Sequence, residues 1–206
     1  MQHETVSKNF WESTDFYPNY PFVKERRKHE IDYLLKEIPH TAKSLLDLGC
    51  GNGSTVILLR ELTYISEYYC YDISQGMLNT IGGNRDSNLH THVWNGNEEN
   101  GELPDTDVTI SMNMLMYVFD DHKVEEIVKS IKSDIFIARI SCNTERLVIN
   151  KFSEEFQTDY SGCYRTSDEY VEIFKKSFSN VTVSRAFPDE IESAYSTKQM
   201  FFLCKR

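Results

Sequence analysis

The stretch Ser44-Leu45-Leu46-Asp47-Leu48-Gly49-Cys50-Gly51-Asn52-Gly53 constrains the fold of this chain more than any other. A short apolar run ends in an acid and breaks into three alternate glycines, as a buried strand does when it turns tightly into a helix. Backbone without side chains can approach a ligand closely, so the turn predicts a nucleoside-type cofactor at the C-terminal edge of a sheet.

The pattern around the turn supports that placement. Ile31, Leu34, Leu35 and Ile38 recur at helical spacing, so a helix over about 22–38 leads into a strand at 44–48. Helices are expected at about 53–62, 75–81, 121–131 and 167–177. Strands are expected at about 67–72, 89–95, 107–112 and 134–140, and two closing strands at 181–187 and 199–204. Strand and helix in alternation predict an α/β fold, a doubly wound parallel sheet covered on both faces. The loop between the closing strands carries no helical pattern, which predicts an antiparallel pair at the sheet edge. No repeat or linker interrupts the chain, so one domain is expected over 1–206. Its parts are an N-terminal cap and helix (1–40), a cofactor-binding core (41–140) and a substrate-side segment with edge strands (141–206).

Composition narrows the partners. Lys plus Arg total 22 against 32 Asp plus Glu, a formal net charge of -10, which disfavours nucleic acid. The five cysteines are odd in number, and at least three fall in or beside apolar strand-like runs, which reads as reduced thiols in a cytoplasmic protein. No signal-like N-terminus and no run of about 18 apolar residues occurs, so no export by a standard signal and no membrane insertion is expected. His90 and His92 lack a Cys or carboxylate at ligand spacing, and no metal is assigned.

Two nucleotide chemistries compete for the turn. A dinucleotide site wants G-x-G-x-x-G with a pyrophosphate on the helix N-terminus; here Ser54 stands where the third glycine would be, and Asp47 places an acid beside the ligand. That acid suits a ligand bearing an ammonium and a sulfonium. Asp72 ends the second strand 19 residues beyond Gly53, where a carboxylate can accept from both ribose hydroxyls, a feature shared with nicotinamide cofactors.

Leu45 through Gly53, followed by Asp72-Ile73-Ser74-Gln75-Gly76-Met77-Leu78, resemble the first two motifs of the class I S-adenosylmethionine-dependent methyltransferases of small-molecule type. The resemblance implies a Rossmann-like seven-stranded sheet of order 3-2-1-4-5-7-6 with the last strand antiparallel, and S-adenosylmethionine as cofactor. It implies Asp47, Gly49 and Gly51 near the methionine part, Asp72 on the ribose, and Met77 or Ile73 against the adenine. Asn97 stands where the family usually carries an Asp facing the adenine amino group. Ser111 through Val118, with Asn113, match the fourth-strand exit that lines the methyl group; Met116-Tyr117 stand where many relatives carry a histidine pair.

The acceptor side is read from the same neighbourhood. Tyr117, Asp120, Asp121 and His122 follow the fourth strand, and Tyr117, Asp120 and His122 are the candidates to orient or deprotonate an acceptor. Asp120 and Asp121 also suit helix capping, and His122 a solvated first turn. The resemblance further implies that residues before the first strand fold over the cofactor, with Tyr17 and Tyr20 as candidates to shield the sulfonium by cation–π attraction. Residues 160–170 resemble the family's loop-plus-helix entry ahead of the sixth strand, with Tyr164 and Arg165 as candidates to face the acceptor. The function expected is methyl transfer to a small metabolite or glycan, on oxygen or nitrogen. A nicotinamide-dependent oxidoreductase and a catalytically silent cofactor-binding regulator are the alternatives.

Overall fold

A computed structural model of the chain describes residues 2–13, 22–81, 87–96, 102–154, 157–192 and 197–206. Helix α1 (Gln2–Ser13) and helix α2 (Val23–Glu37) precede the alternating core. Strand β1 (Ser44–Leu48), α3 (Ser54–Leu62), β2 (Glu67–Asp72), α4 (Gln75–Ile81) and β3 (Leu89–Val93) follow. Then come β4 (Val108–Met112), a 3-10 turn (Leu115–Tyr117), α5 (Asp121–Ser130) and β5 (Ile135–Cys142). The chain closes with β6 (Leu147–Ser153), β7 (Thr158–Tyr164), α6 (Ser167–Phe174), β8 (Asn180–Arg185) and β9 (Lys198–Lys205).

Seven strands form one sheet in the order β3-β2-β1-β4-β5-β9-β8. The pairs from β3 to β5 are parallel, whereas β9 runs antiparallel to both neighbours, between β5 and β8. This is the sheet implied by the resemblance, with β8 and β9 as its sixth and seventh strands. Strand alternation splits the core in two. Leu45, Tyr68, Cys70, Val108, Ile110 and Ile137 face α2, α3 and α4, and Leu46, Leu48, Phe136, Ala138, Ile140 and Phe202 face α5 and α6.

Two elements escape the sequence pattern. Residues 9–13, within the expected N-terminal cap, belong to helix α1, and β6 and β7 form a separate antiparallel hairpin in the substrate-side segment. Both depend on tertiary partners. Helix α1 packs on β7, on the 3-10 turn and on α4, and β6 is largely exposed, so neither shows a clean periodicity. Among the described residues no helix is long and apolar enough to cross a membrane.

Phe202, fully buried on β9, meets the rings of Tyr170 and Phe174 edge-on at 5.7 and 5.4 Å. Phe202→Ala should therefore cost about 3–5 kcal/mol in urea unfolding. A loss below about 1 kcal/mol would show that this face of the sheet is not a packed core.

Candidate active site

The strand order reverses between β1 and β4, and the C-terminal ends of β1, β2 and β4 converge there. The glycine turn after β1 is tied to β2. The Gly49 and Cys50 amides both donate to the Tyr71 carbonyl, at 2.7 and 3.1 Å, and the Gly51 amide donates to Asp72 Oδ2 at 2.8 Å. Gly49, Gly51 and Gly53 all hold left-handed backbone (φ 75, 55 and 70°). At Gly49 a Cβ would stand 2.5 Å from Met114 Cβ, so the turn fits against the β4 exit only without a side chain.

Asp72 closes the turn from the other side. Its Oδ1 accepts from the Ser74 amide at 2.8 Å, and Ser74 Oγ in turn caps α4 by accepting from the Met77 amide at 3.0 Å. Burial raises the Asp72 pKa, against the backbone donors that hold its charged form. Beyond it, Ile73 is half-buried and Met77 is buried.

Asp47 is 1% exposed on the face that meets α2, and its Oδ1 is buried without a hydrogen-bond partner. Burial, then the nearby Glu30 and Asp72 carboxylates, push its pKa well above the ordinary carboxylate range; Arg27 opposes them. Glu30 differs although it is equally buried. Its desolvation is outweighed by Arg139, Arg27 and Thr55, which leave its pKa below the usual value. Arg27 Nη1 lies 2.7 Å from Glu30 Oε1 and Arg139 Nε 2.8 Å from Oε2, so Glu30 is a paired anion, whereas burial disfavours the charged form of Asp47.

A second orphan oxygen lies across the reversal. Asn113 takes a left-handed conformation (φ 67°) directly after β4, its amide donates to the Arg139 carbonyl at 2.7 Å, and its Oδ1 is buried without a partner. Two buried acceptor oxygens beside a side-chain-free turn suit a ligand that brings N–H donors. A cationic amine would supply them and would favour the charged form of Asp47.

The acceptor-side candidates separate. Asp120 caps α5, its Oδ1 accepting from the His122 amide at 2.9 Å. The His122 side chain is 77% exposed and lies 3.7 Å from Glu126, as a solvated first turn allows. Arg165 is held by the start of α5 and by Phe119 ahead of it. It is 0% exposed, with Nε on Asp121 Oδ1 at 2.7 Å and Nη2 on the Phe119 carbonyl at 2.9 Å, because a buried guanidinium needs its charge and donors met. Tyr117 and Tyr164 do meet, through Tyr160, which the sequence reading did not single out. Tyr160 and Tyr164 stand four residues apart on β7 and so share one face of it, a signal legible only once that strand is recognised. Tyr17, Tyr20 and Asn97 lie outside the described residues. Among those described, no group of three His, Cys, Asp or Glu residues could hold a metal ion.

A family model described as a methyltransferase domain matches residues 46–133. The malonyl-[acyl-carrier protein] O-methyltransferase of Brevibacillus brevis is 28% identical over 86 residues, 41% of this chain and 31% of that protein. The chain thus aligns with under a third of that relative's length. Among solved structures, phosphoethanolamine N-methyltransferase 2 of Haemonchus contortus, in complex with S-adenosyl-L-methionine, superposes with a TM-score of 0.64 at 15% identity. The match covers 87% of this chain and 52% of that one. Geranyl diphosphate C-methyltransferase of Streptomyces coelicolor superposes with a TM-score of 0.68 at 10% identity over 100% of this chain and 99% of that one. At such identities these structures share the fold.

The state of Asp47 has a measurable consequence. Its native pKa is raised, so above the ordinary carboxylate range the folded protein keeps a proton that the unfolded chain has released, and stability falls as pH rises through that window. Asp47→Asn removes the titration. In the absence of ligand it should melt several degrees higher than the parent at pH 7, about 2–4 °C for each kcal/mol recovered, with the gain shrinking toward pH 4. An unchanged or lower melting temperature at pH 7 contradicts this account of Asp47.

Proposed function

We propose that this chain is a class I S-adenosylmethionine-dependent methyltransferase, a reading supported by the matched methyltransferase-domain model and the similar proteins, and that it transfers a methyl group to an oxygen or nitrogen of a small metabolite or glycan. The observation that carries this reading is the pair of orphan oxygens, Asp47 Oδ1 and Asn113 Oδ1, beside a turn that no side chain fills. S-adenosylmethionine, when bound, supplies an electrophilic methyl on a sulfonium. The residues of the chain bind and orient. Asp47 and Asn113 receive the amino group of the methionine part, while Gly49 and Gly51 leave room for it. Each oxygen of Asp72 already accepts one backbone N–H and keeps a lone pair for a ribose hydroxyl. Ile73 and Met77 flank the adenine, and Tyr17, Tyr20 and Asn97 hold their cofactor roles on the sequence pattern.

On the acceptor side the reading assigns Tyr117 and Tyr164. Bringing the acceptor within about 3–3.5 Å of the methyl group in line with the leaving sulfur is the main catalytic task. A cytoplasmic setting belongs to the same proposal, supported by five cysteines that are all buried and free.

Calorimetric titration of the full chain with S-adenosylhomocysteine should give saturable one-to-one binding. Asp72→Ala should weaken it by about tenfold or more, near 1.4 kcal/mol or above. No binding to the parent chain overturns the proposal.

A further inference from the structure

The hydroxyls of three tyrosines from two separate elements form a chain at the β4 exit. Tyr160 on β7 lies 2.6 Å, oxygen to oxygen, from Tyr164, and donates to Tyr117 of the 3-10 turn at 3.4 Å. The rings are held at fixed angles. Tyr117 and Tyr160 stand perpendicular at 6.0 Å, Phe10 of α1 meets Tyr160 edge-on at 5.5 Å, and Trp11 meets Tyr117 at 4.8 Å. Gly162, between the two β7 tyrosines, keeps the chain closed up; a Cβ there would stand 3.2 Å from Tyr160 Oη and 3.4 Å from the Tyr164 ring.

This cluster is coupled to the cofactor turn. The Tyr117 amide donates to the Met114 carbonyl at 2.9 Å, and the Met114 side chain is the group packed against Gly49. Tyr117 thus sits one short turn past Asn113, at the strand exit where the methionine part of the cofactor is held under the reading above. A phenol hydroxyl rotates freely about its C–O bond unless a partner fixes it. Tyr160 is bonded to both of the others and so joins the hairpin to the 3-10 turn after β4.

We infer that Tyr160 is a positioning residue for the methyl acceptor: with Tyr164 behind it, it fixes the hydroxyl of Tyr117, which takes a hydrogen bond from an acceptor bearing an O–H or N–H group. The inference rests on the methyltransferase reading. Tyr160 acts through Tyr117, so its hydroxyl governs how the acceptor is held and leaves the cofactor site untouched. Lys151, opposite Tyr160 across the hairpin, and Asp159 beside it are exposed and serve as neighbours whose removal should matter little.

The test uses the full chain, S-adenosylmethionine with a tritiated methyl group, and a panel of matched alcohols, amines and carboxylates on common scaffolds. Label should enter an alcohol or amine. With the best such acceptor, Tyr160→Phe should raise KM at least tenfold and change kcat less than threefold, while the S-adenosylhomocysteine Kd stays within twofold of the parent. Gly162→Ala should raise KM in the same direction. In a double-mutant cycle, Tyr117→Phe with Tyr160→Phe should be scarcely worse than Tyr117→Phe alone, since one hydroxyl acts through the other. A merely structural contribution would instead add. Label on carboxylates alone, label on no member of the panel while the homocysteine product binds, a parent-like KM in Tyr160→Phe, or additive effects in the cycle each overturn the inference. Failure to bind S-adenosylhomocysteine is a different result, and it removes the methyltransferase reading itself.

Discussion

The site depends on one buried carboxylate that is paired and another that is not. Glu30, from α2, receives Arg27 of its own helix, Arg139 of β5 and the Thr55 hydroxyl at the start of α3. Arg27 reaches on to Ser54 and Thr55, at 2.7 and 2.5 Å, and Arg139 to Gln199 of β9 at 2.7 Å. One anion thus links two helices and two strands of the same face. Removing charge from water is tolerable only when partners surround it, so these elements are held in one arrangement beneath the glycine turn.

Asp47 is built into the same face without such partners. Its neighbours are mostly carboxylates, and its outer oxygen is unmatched. In the absence of ligand this arrangement costs stability, and a cationic, donor-bearing ligand would reverse the sign of the local balance. Asn113 repeats the theme across the strand reversal, with a left-handed backbone that few residues other than asparagine and glycine adopt readily. Departures from ordinary packing rules therefore gather at the point where a ligand is expected.

The opposite side of the site is built from aromatic contact. Helix α1 contributes Phe10 and Trp11, β7 contributes Tyr160 and Tyr164, and the 3-10 turn contributes Tyr117. These elements are remote in sequence, and each is marginal alone: α1 is only weakly amphipathic and β6 is an exposed edge. Tertiary contact stabilises them, so local pattern could not announce them. Arg165 illustrates the same limit. An arginine beside a tyrosine invites a substrate role, and nothing in the local sequence shows that Asp121 and the Phe119 carbonyl, more than forty positions away, take up its charge and its donors.

The alternation of short apolar strands with amphipathic helices was legible in the chain, because burial on both faces of a parallel sheet imposes it residue by residue. So were the glycine turn and Asp72, because left-handed backbone and a carboxylate at a strand end each demand a particular residue type. These residues carry the family resemblance, and it was the resemblance that implied the sheet order and the cofactor class. What only the tertiary structure decided is which of Tyr117, Asp120, His122, Tyr164 and Arg165 meet, and that Tyr160 joins two of them. Hydrogen bonds between distant elements are set by how helices and hairpins dock, and docking leaves no periodic trace in the sequence.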